Sequence, residues 1–213
     1  MIQSERRCFG LRELRTVGGD TEKIIEGHAA VFEQKTNVDN LFWEVIDRNA
    51  FADADSLRDV ALFINHDIFK LPIARSRRNN GNSSMTLAVD DVGLAFRARL
   101  DVDNNPDARA LYSAVERGDI SGMSFAFDVA EDDWADLDSD MPTRRVKKIA
   151  QVFEISACNF PAYEQTDIYT RAAVQSLTNA RNALDNARAK SLDVDKLRRI
   201  AVLRLKNRIL GGF

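Results

Sequence analysis

Histidine and cysteine are scarce in this chain of 213 residues, with two of each: His28 and His66, Cys8 and Cys158. The cysteines fall in separate segments without CxxC spacing, and only the two histidines could join them around zinc, so no structural metal is expected. Long apolar runs are also missing. VALFI at 60–64, one of the longest, is far short of the roughly 20 residues that a membrane span requires. MIQSERRCFG carries charge but no apolar h-region, so it is not expected to direct export, and both thiols are expected to stay reduced in a cytosolic compartment. A formal net charge of −3 argues against a dedicated nucleic-acid binder.

What is present is ordinary for a globular chain, 45% hydrophobic and 30% charged, and long enough for one domain with an appendage. Apolar segments on either side of VGGD at 17–20 predict a hairpin. LFWEVI (41–46), VALFIN (60–65), SMTLAV (84–89) and GLAFRARL (93–100) are rich in β-branched and aromatic residues. The last alternates, with Leu94, Phe96, Ala98 and Leu100 on one face and Arg97 and Arg99 on the other. DDVG between the last two predicts a tight connection.

Asn104-Asn105-Pro106 supplies a cap and a first-turn proline for a helix whose stripe is Ala108, Leu111, Tyr112 and Val115, ending at Gly118. A strand ISGMSFAFDVA follows, then the acidic segment EDDWADLDSDMPT, expected to be a solvated loop, and a strand from about 144 to 159. From Arg171 onward the period is helical, in two runs compatible with a helical hairpin. Residues 171–213 hold ten Lys/Arg against three Asp/Glu, a net of +7, which leaves −10 for residues 1–170. The expected organisation is therefore a folded body, 1–170, and a basic amphipathic tail, 171–213, suited to docking on something besides the core.

Few side chains could act as a base near neutral pH. His66, in FINHDIFKLPIARS, closes an apolar run just before a charged, proline-containing loop, where a sheet can hold it while its ring reaches a cleft. His28, in EGHAAVF, reads as a strand residue with one wet face. In GDISGMSFAF (118–127), Ser121 and Ser124 are three apart and so fall on opposite faces of a regular strand, unless a bulge at Gly122 intervenes. Either hydroxyl could be structural or nucleophilic. Glu154, in VFEISACNFPAY, is a carboxylate set among apolar strand residues, better placed to orient an imidazole than any acid of the solvated segment. Cys158 reads as a buried structural thiol, with a cysteine hydrolase using Cys158 and His66 as a weaker alternative.

Together, IIEGHAAVF with EVIDRNAFADA, the NHD of FINHDIFKLPIARS, ERGDISGMSFAF and FEISACNFPAYEQT occur in an order that resembles the tailed-phage prohead, or head maturation, serine protease family, over residues 6 to 171. GLAFRARL and the helix ARALYSAVERG fit the same pattern. The resemblance implies a mainly β fold with surrounding helices (α+β), a closed antiparallel β-barrel of the herpesvirus-protease type, followed here by the helical tail. It implies a serine endopeptidase that cleaves capsid and scaffold precursors inside the immature phage head, in the host cytoplasm, and cleaves itself. By the motif match, Ser124 would be the nucleophile, His66 the general base and Glu154 the orienting acid, with Ser121 in reserve.

Assemblin-like enzymes place a second histidine in the third position, and the spare here, His28, lies in a different block. The implied partners are the major capsid protein precursor, its scaffold region and a second copy of the chain. No cofactor, nucleic acid or membrane is implied. Oxyanion donors, backbone N–H groups or an arginine, are not singled out by the sequence. The competing reading is a non-enzymatic assembly protein with an inactive protease-like barrel, its tail a scaffold.

Overall fold

A computed structural model describes residues 5–10, 14–18, 22–77, 81–159 and 171–210. Its spine is a long antiparallel hairpin of β10 (Gly122–Ala135) and β11 (Thr143–Cys158). On one side β1 (Glu5–Gly10) pairs with β10, Cys8 standing opposite Ser124. On the other side β11 is shared. Its first residues run parallel to β5 (Phe42–Ile46), beyond which lies β4 (Thr36–Val38), and its last residues run parallel to β6 (Ala61–Ile64), which pairs with the short β7 (Ala74–Arg75). A second, wholly antiparallel sheet has the order β2 (Arg15–Val17), β3 (Ile24–Val31), β9 (Gly93–Arg99), β8 (Met85–Val89).

The protein is thus mainly β with few helices. Among the described residues the pairings make two sheets, two of the pairings are parallel, and no ring of strands closes the barrel that the resemblance implied.

The two sheets meet over one core. Alternation sends Met123, Phe125, Phe127, Ile149 and Ile155 inward from the first sheet to meet Ile25, Leu94 and Phe96 from the second. Each fully buried side chain of this size stabilises by about 1.5–3 kcal/mol. Helix α1 (Pro106–Glu116) adds Ala108, Leu111 and Val115 to the same core. Its start is set by Asn105, whose side chain accepts from the N–H groups of Asp107 and Ala108. At its end Gly118 has φ +77°, a conformation open to glycine, and the N–H groups of Gly118 and Asp119 return to Val115 and Ala114 as in a Schellman cap. The DDVG connection is held by Asp90, whose carboxylate accepts from the Val92 and Gly93 N–H groups at 2.8 and 2.9 Å.

Two expectations are corrected. The acidic segment is not a loop: β10 continues through EDDWA to Ala135, leaving only about the DLDSDMP stretch as a turn. Asp132 and Asp133 are neutralised across the hairpin by Arg144 and Lys147, and Trp134 packs edge-on against Phe42, 4.9 Å between ring centroids. These cross-strand pairs outweigh the poor strand propensity of aspartate. The tail is not a helical hairpin either, for α2 (Arg171–Leu210) is one continuous helix of 40 residues without glycine or proline to break it.

The first half of α2 packs on the body. Ala180 and Leu184 cluster with Val38 and Phe42, the Ser176 hydroxyl accepts from the Arg6 N–H, and Arg188 donates to the carbonyls of Leu137 and Ser139. Farther along, Leu192, Leu197 and Leu203 are exposed.

Candidate active site

The NHD block sits where β6 leaves the sheet. Ile64 stands beside Ala157 of β11, and the Asn65 N–H donates to the Ala157 carbonyl at 2.9 Å. Asn65 and His66 then both take left-handed backbone angles, φ 52° and 58°, and the Asp67 N–H closes the turn on the Ile64 carbonyl. Two successive positive φ values are what a type I′ turn requires, and Asn and His are among the residues that tolerate them. The Asn65 side chain fastens the turn by accepting from the Asn159 N–H at 3.1 Å. The His66 ring is thereby thrown across the end of β11.

On β11, residues two apart share a face, so Glu154, Ser156 and Cys158 line up under that ring. His66 Nδ1 lies 2.5 Å from Glu154 Oε1. The other carboxylate oxygen, Oε2, accepts from the Ser156 hydroxyl at 2.6 Å, and the Ser156 oxygen accepts from the His66 backbone N–H at 3.2 Å. Glu154 is buried, 3% exposed, and the ring is partly open to solvent. A buried carboxylate demands compensation. Here it has the imidazole, the Ser156 hydroxyl and, 3.9 Å from Oε1, the Arg6 guanidinium of β1. Among the described residues Arg6 Nε itself has no hydrogen-bond partner. Cys158 Sγ is 4.0 Å from His66 Nε2.

Ser124 is on the adjoining strand β10, directly opposite Ser156. Directly opposed residues of an antiparallel pair project from the same face, about 4.5–5.5 Å apart at Cβ. Ser124 therefore shares the face of Glu154 and Ser156, while Met123 and Phe125 turn into the core. It is buried, and its hydroxyl donates to the Arg7 carbonyl of β1 at 2.8 Å. No hydrogen bond joins it to the His66 ring among the described residues.

Ser121 is exposed and precedes the strand; the bulges of β10 fall at Ala126 and beyond, not at Gly122. His28 is remote from this face: it lies on β3, paired through Nε2 with Asp90 at 2.9 Å. Cys8 stands opposite Ser124 in register, and its side chain is outside the described residues. Among the described residues no group of three or more His, Cys, Asp or Glu side chains could hold a metal ion, and no helix is long and apolar enough to cross a membrane.

The sequence singled out Glu154 and His66, which the structure brings into contact, but not Ser156, although its spacing of two from Glu154 already places both on one strand face. Nor did it single out what fixes β1. Arg7 forms a two-pronged pair with Glu44, Nε to Oε1 at 2.6 Å and Nη2 to Oε2 at 3.0 Å, and also binds Glu5. Arg144 donates to Glu5 at 2.7 and 2.8 Å, to Glu44 at 3.2 Å and to Asp132 at 2.6 Å. Burial works against the charges of Glu5, Arg7 and Arg144. Even so, Glu44 and Glu5 hold the Arg7 and Arg144 guanidiniums above their ordinary range, and Arg7 and Arg144 hold the Glu5 carboxyl below its own. The cluster anchors β1, and with it the Arg7 carbonyl that accepts the Ser124 hydrogen bond.

An imidazole bonded through Nδ1 to a buried carboxylate, with a serine one strand away, is the constituent set of a serine hydrolase. The chain belongs to the caudovirus prohead serine protease family, whose model matches residues 11–192. It is 32% identical over 175 residues to the prohead protease of Enterobacteria phage HK97, covering 82% of this chain and 71% of that protein. No solved structure matches. The protein is accordingly a serine protease of phage head maturation. The family match extends about halfway along α2, past the residue near 171 where the sequence blocks ended.

Proposed function

We propose that this protease cleaves capsid and scaffold precursors within the assembling procapsid in the host cytoplasm, and cleaves itself, using Ser124 as nucleophile, His66 as general base and Glu154 as orienting acid. The observation that carries the assignment is the 2.5 Å contact of His66 Nδ1 with Glu154 Oε1 on the face that also bears Ser124. With Nδ1–H donating its hydrogen bond to the Glu154 carboxylate, the lone pair of the neutral ring is at Nε2. Ser124 then swings its hydroxyl from the Arg7 carbonyl toward Nε2, loses its proton as Oγ attacks the scissile carbonyl, and leaves an imidazolium stabilised by the carboxylate. His66 returns the proton to the leaving amine, and water attacking the acyl-enzyme regenerates the serine. A hydroxyl not yet turned to its base is common in substrate-free sites.

Co-expression of Ser124→Ala, Ser121→Ala and Cys158→Ala variants with the capsid precursor, read by mass spectrometry of the fragments, tests the assignment. Loss of a triad member costs on the order of 10⁴- to 10⁶-fold in kcat. Ser124→Ala should therefore leave both chains full length, while the other two variants still cut. Processing by Ser124→Ala that is lost in Ser121→Ala moves the nucleophile, and loss in Cys158→Ala alone transfers it to the thiol. Normal mature heads from both Ser124→Ala and His66→Ala favour the non-enzymatic assembly reading.

In the same proposal the tether that recruits the enzyme is the distal part of α2, since the proximal part is docked through Ala180 and Leu184. Deleting residues 193–213 should then abolish incorporation into proheads and spare peptide cleavage. Unchanged incorporation would remove the tether from the account.

A further inference from the structure

We propose that Ser156 is a positioning residue that locks the acid and the base of the protease site into one unit, an inference that rests on the roles given to His66 and Glu154 above. Ser156 is completely buried. Its hydroxyl proton goes to Glu154 Oε2 and its oxygen receives the His66 backbone N–H, so a single atom is bonded to both partners of the 2.5 Å contact.

Each bond addresses a distinct freedom. A glutamate side chain has a broad terminal torsion, and Nδ1 engages only Oε1; pinning Oε2 fixes the plane of the carboxylate. His66 sits at a positive φ, a backbone state of limited population for a residue with a side chain, and its N–H faces a buried region where a lost partner is costly. The Ser156 oxygen supplies that partner and holds the turn in the orientation that delivers the ring. β11 makes the arrangement rigid, since Ser156 is flanked in register by Ser124 on β10 and Phe63 on β6.

The test uses the full chain and a fluorogenic peptide spanning a junction mapped in the capsid precursor. Misplacing a catalytic group by about 1 Å costs on the order of 10²-fold. Ser156→Ala should therefore lower kcat about 10²-fold with KM within about twofold, because substrate contacts are untouched. Ser156→Thr, which keeps the hydroxyl, should restore most of the loss. In a Glu154→Gln background the same Ser156→Ala change should cost less than it does in the parent, because only the hold on the His66 turn is left to lose. The low-field proton resonance of His66 Nδ1–H should move in Ser156→Ala and return in Ser156→Thr.

If His66→Ala and Glu154→Gln both cleave normally, the site assignment and this inference fall together. If those variants are inactive while Ser156→Ala keeps kcat within about threefold, the inference alone is overturned. It is overturned equally if Ser156→Thr fails to restore kcat while melting with Ser156→Ala, which marks a packing role.

Discussion

Replacing Arg144 by Met separates the contribution of the buried charge cluster from that of surface ion pairs. Arg144 is buried and supplies the donors for Glu5, the long bond to Glu44 and the bond to Asp132. Without it, the Glu5 and Glu44 carboxylates share the single guanidinium of Arg7 in a site closed to water. Breaking a buried charge pair by removing one partner costs about 3–5 kcal/mol, most of it the penalty of the charge left behind. For a chain of this length each kcal/mol is worth about 2–4 °C, so Arg144→Met should melt on the order of 10 °C below the parent.

The neighbouring Arg145 is the control. It pairs with Glu33 and Asp47 at 2.8 and 3.2 Å but is 38% exposed, where such pairs contribute about 0–1 kcal/mol, so Arg145→Met should move the midpoint by no more than about 3 °C. Circular dichroism melts at pH 7 on the parent, both single variants and Arg144→Met with Glu5→Gln make the comparison, the double variant recovering part of the loss by neutralising one stranded carboxylate. Equal shifts for Arg144→Met and Arg145→Met, or a shift under 3 °C for the former, would refute the reasoning.

Three further outcomes are expected. Burial opposes ionisation of Glu5, but Arg7 and Arg144 outweigh it and hold its native pKa below the ordinary 4.5; its contribution is complete above that value and lost as pH falls through the native one. Urea midpoints should hold from pH 7 to about 5 and then fall more steeply in the parent than in Glu5→Gln; parallel curves would contradict this. A Cβ on Gly93 would come within 1.9 Å of the Ala30 carbonyl oxygen, so Gly93→Ala should splay β9 from β3 and lower stability by more than about 2 kcal/mol in urea titration; a change under 0.5 kcal/mol would show that the strands shift freely. Asn105→Ala removes the α1 cap and should cost about 1 kcal/mol by the same measurement, with no effect signifying that water replaces the side chain.

Where alternation or capping is written locally, the sequence was readable. β9 follows from GLAFRARL, and α1 from Asn105, Pro106 and Gly118. The far end of β10 was not, because aspartates read singly favour turns; the cations that make them strand residues, Arg144 and Lys147, lie across a hairpin whose register is a tertiary fact. The parallel pairing of β11 with both β5 and β6 was hidden for the same reason. Of the site, Glu154 stood out as a lone acid among apolar residues and His66 as a histidine at a strand end. The hold of Arg7 on the Ser124 hydroxyl is made by a main-chain carbonyl, which no side-chain pattern encodes.

β11 carries Arg144 near its start and Glu154 and Ser156 near its end, so one strand serves both the charge cluster that secures β1 and the bonds that aim His66. A slip of a single residue turns every one of these side chains to the opposite face. The same error that strands buried arginine and glutamate also turns the carboxylate away from its imidazole. Mispaired molecules would thus lose the buried charge cluster and the His66–Glu154 contact together, so that, on the proposed roles, instability and inactivity are the same event.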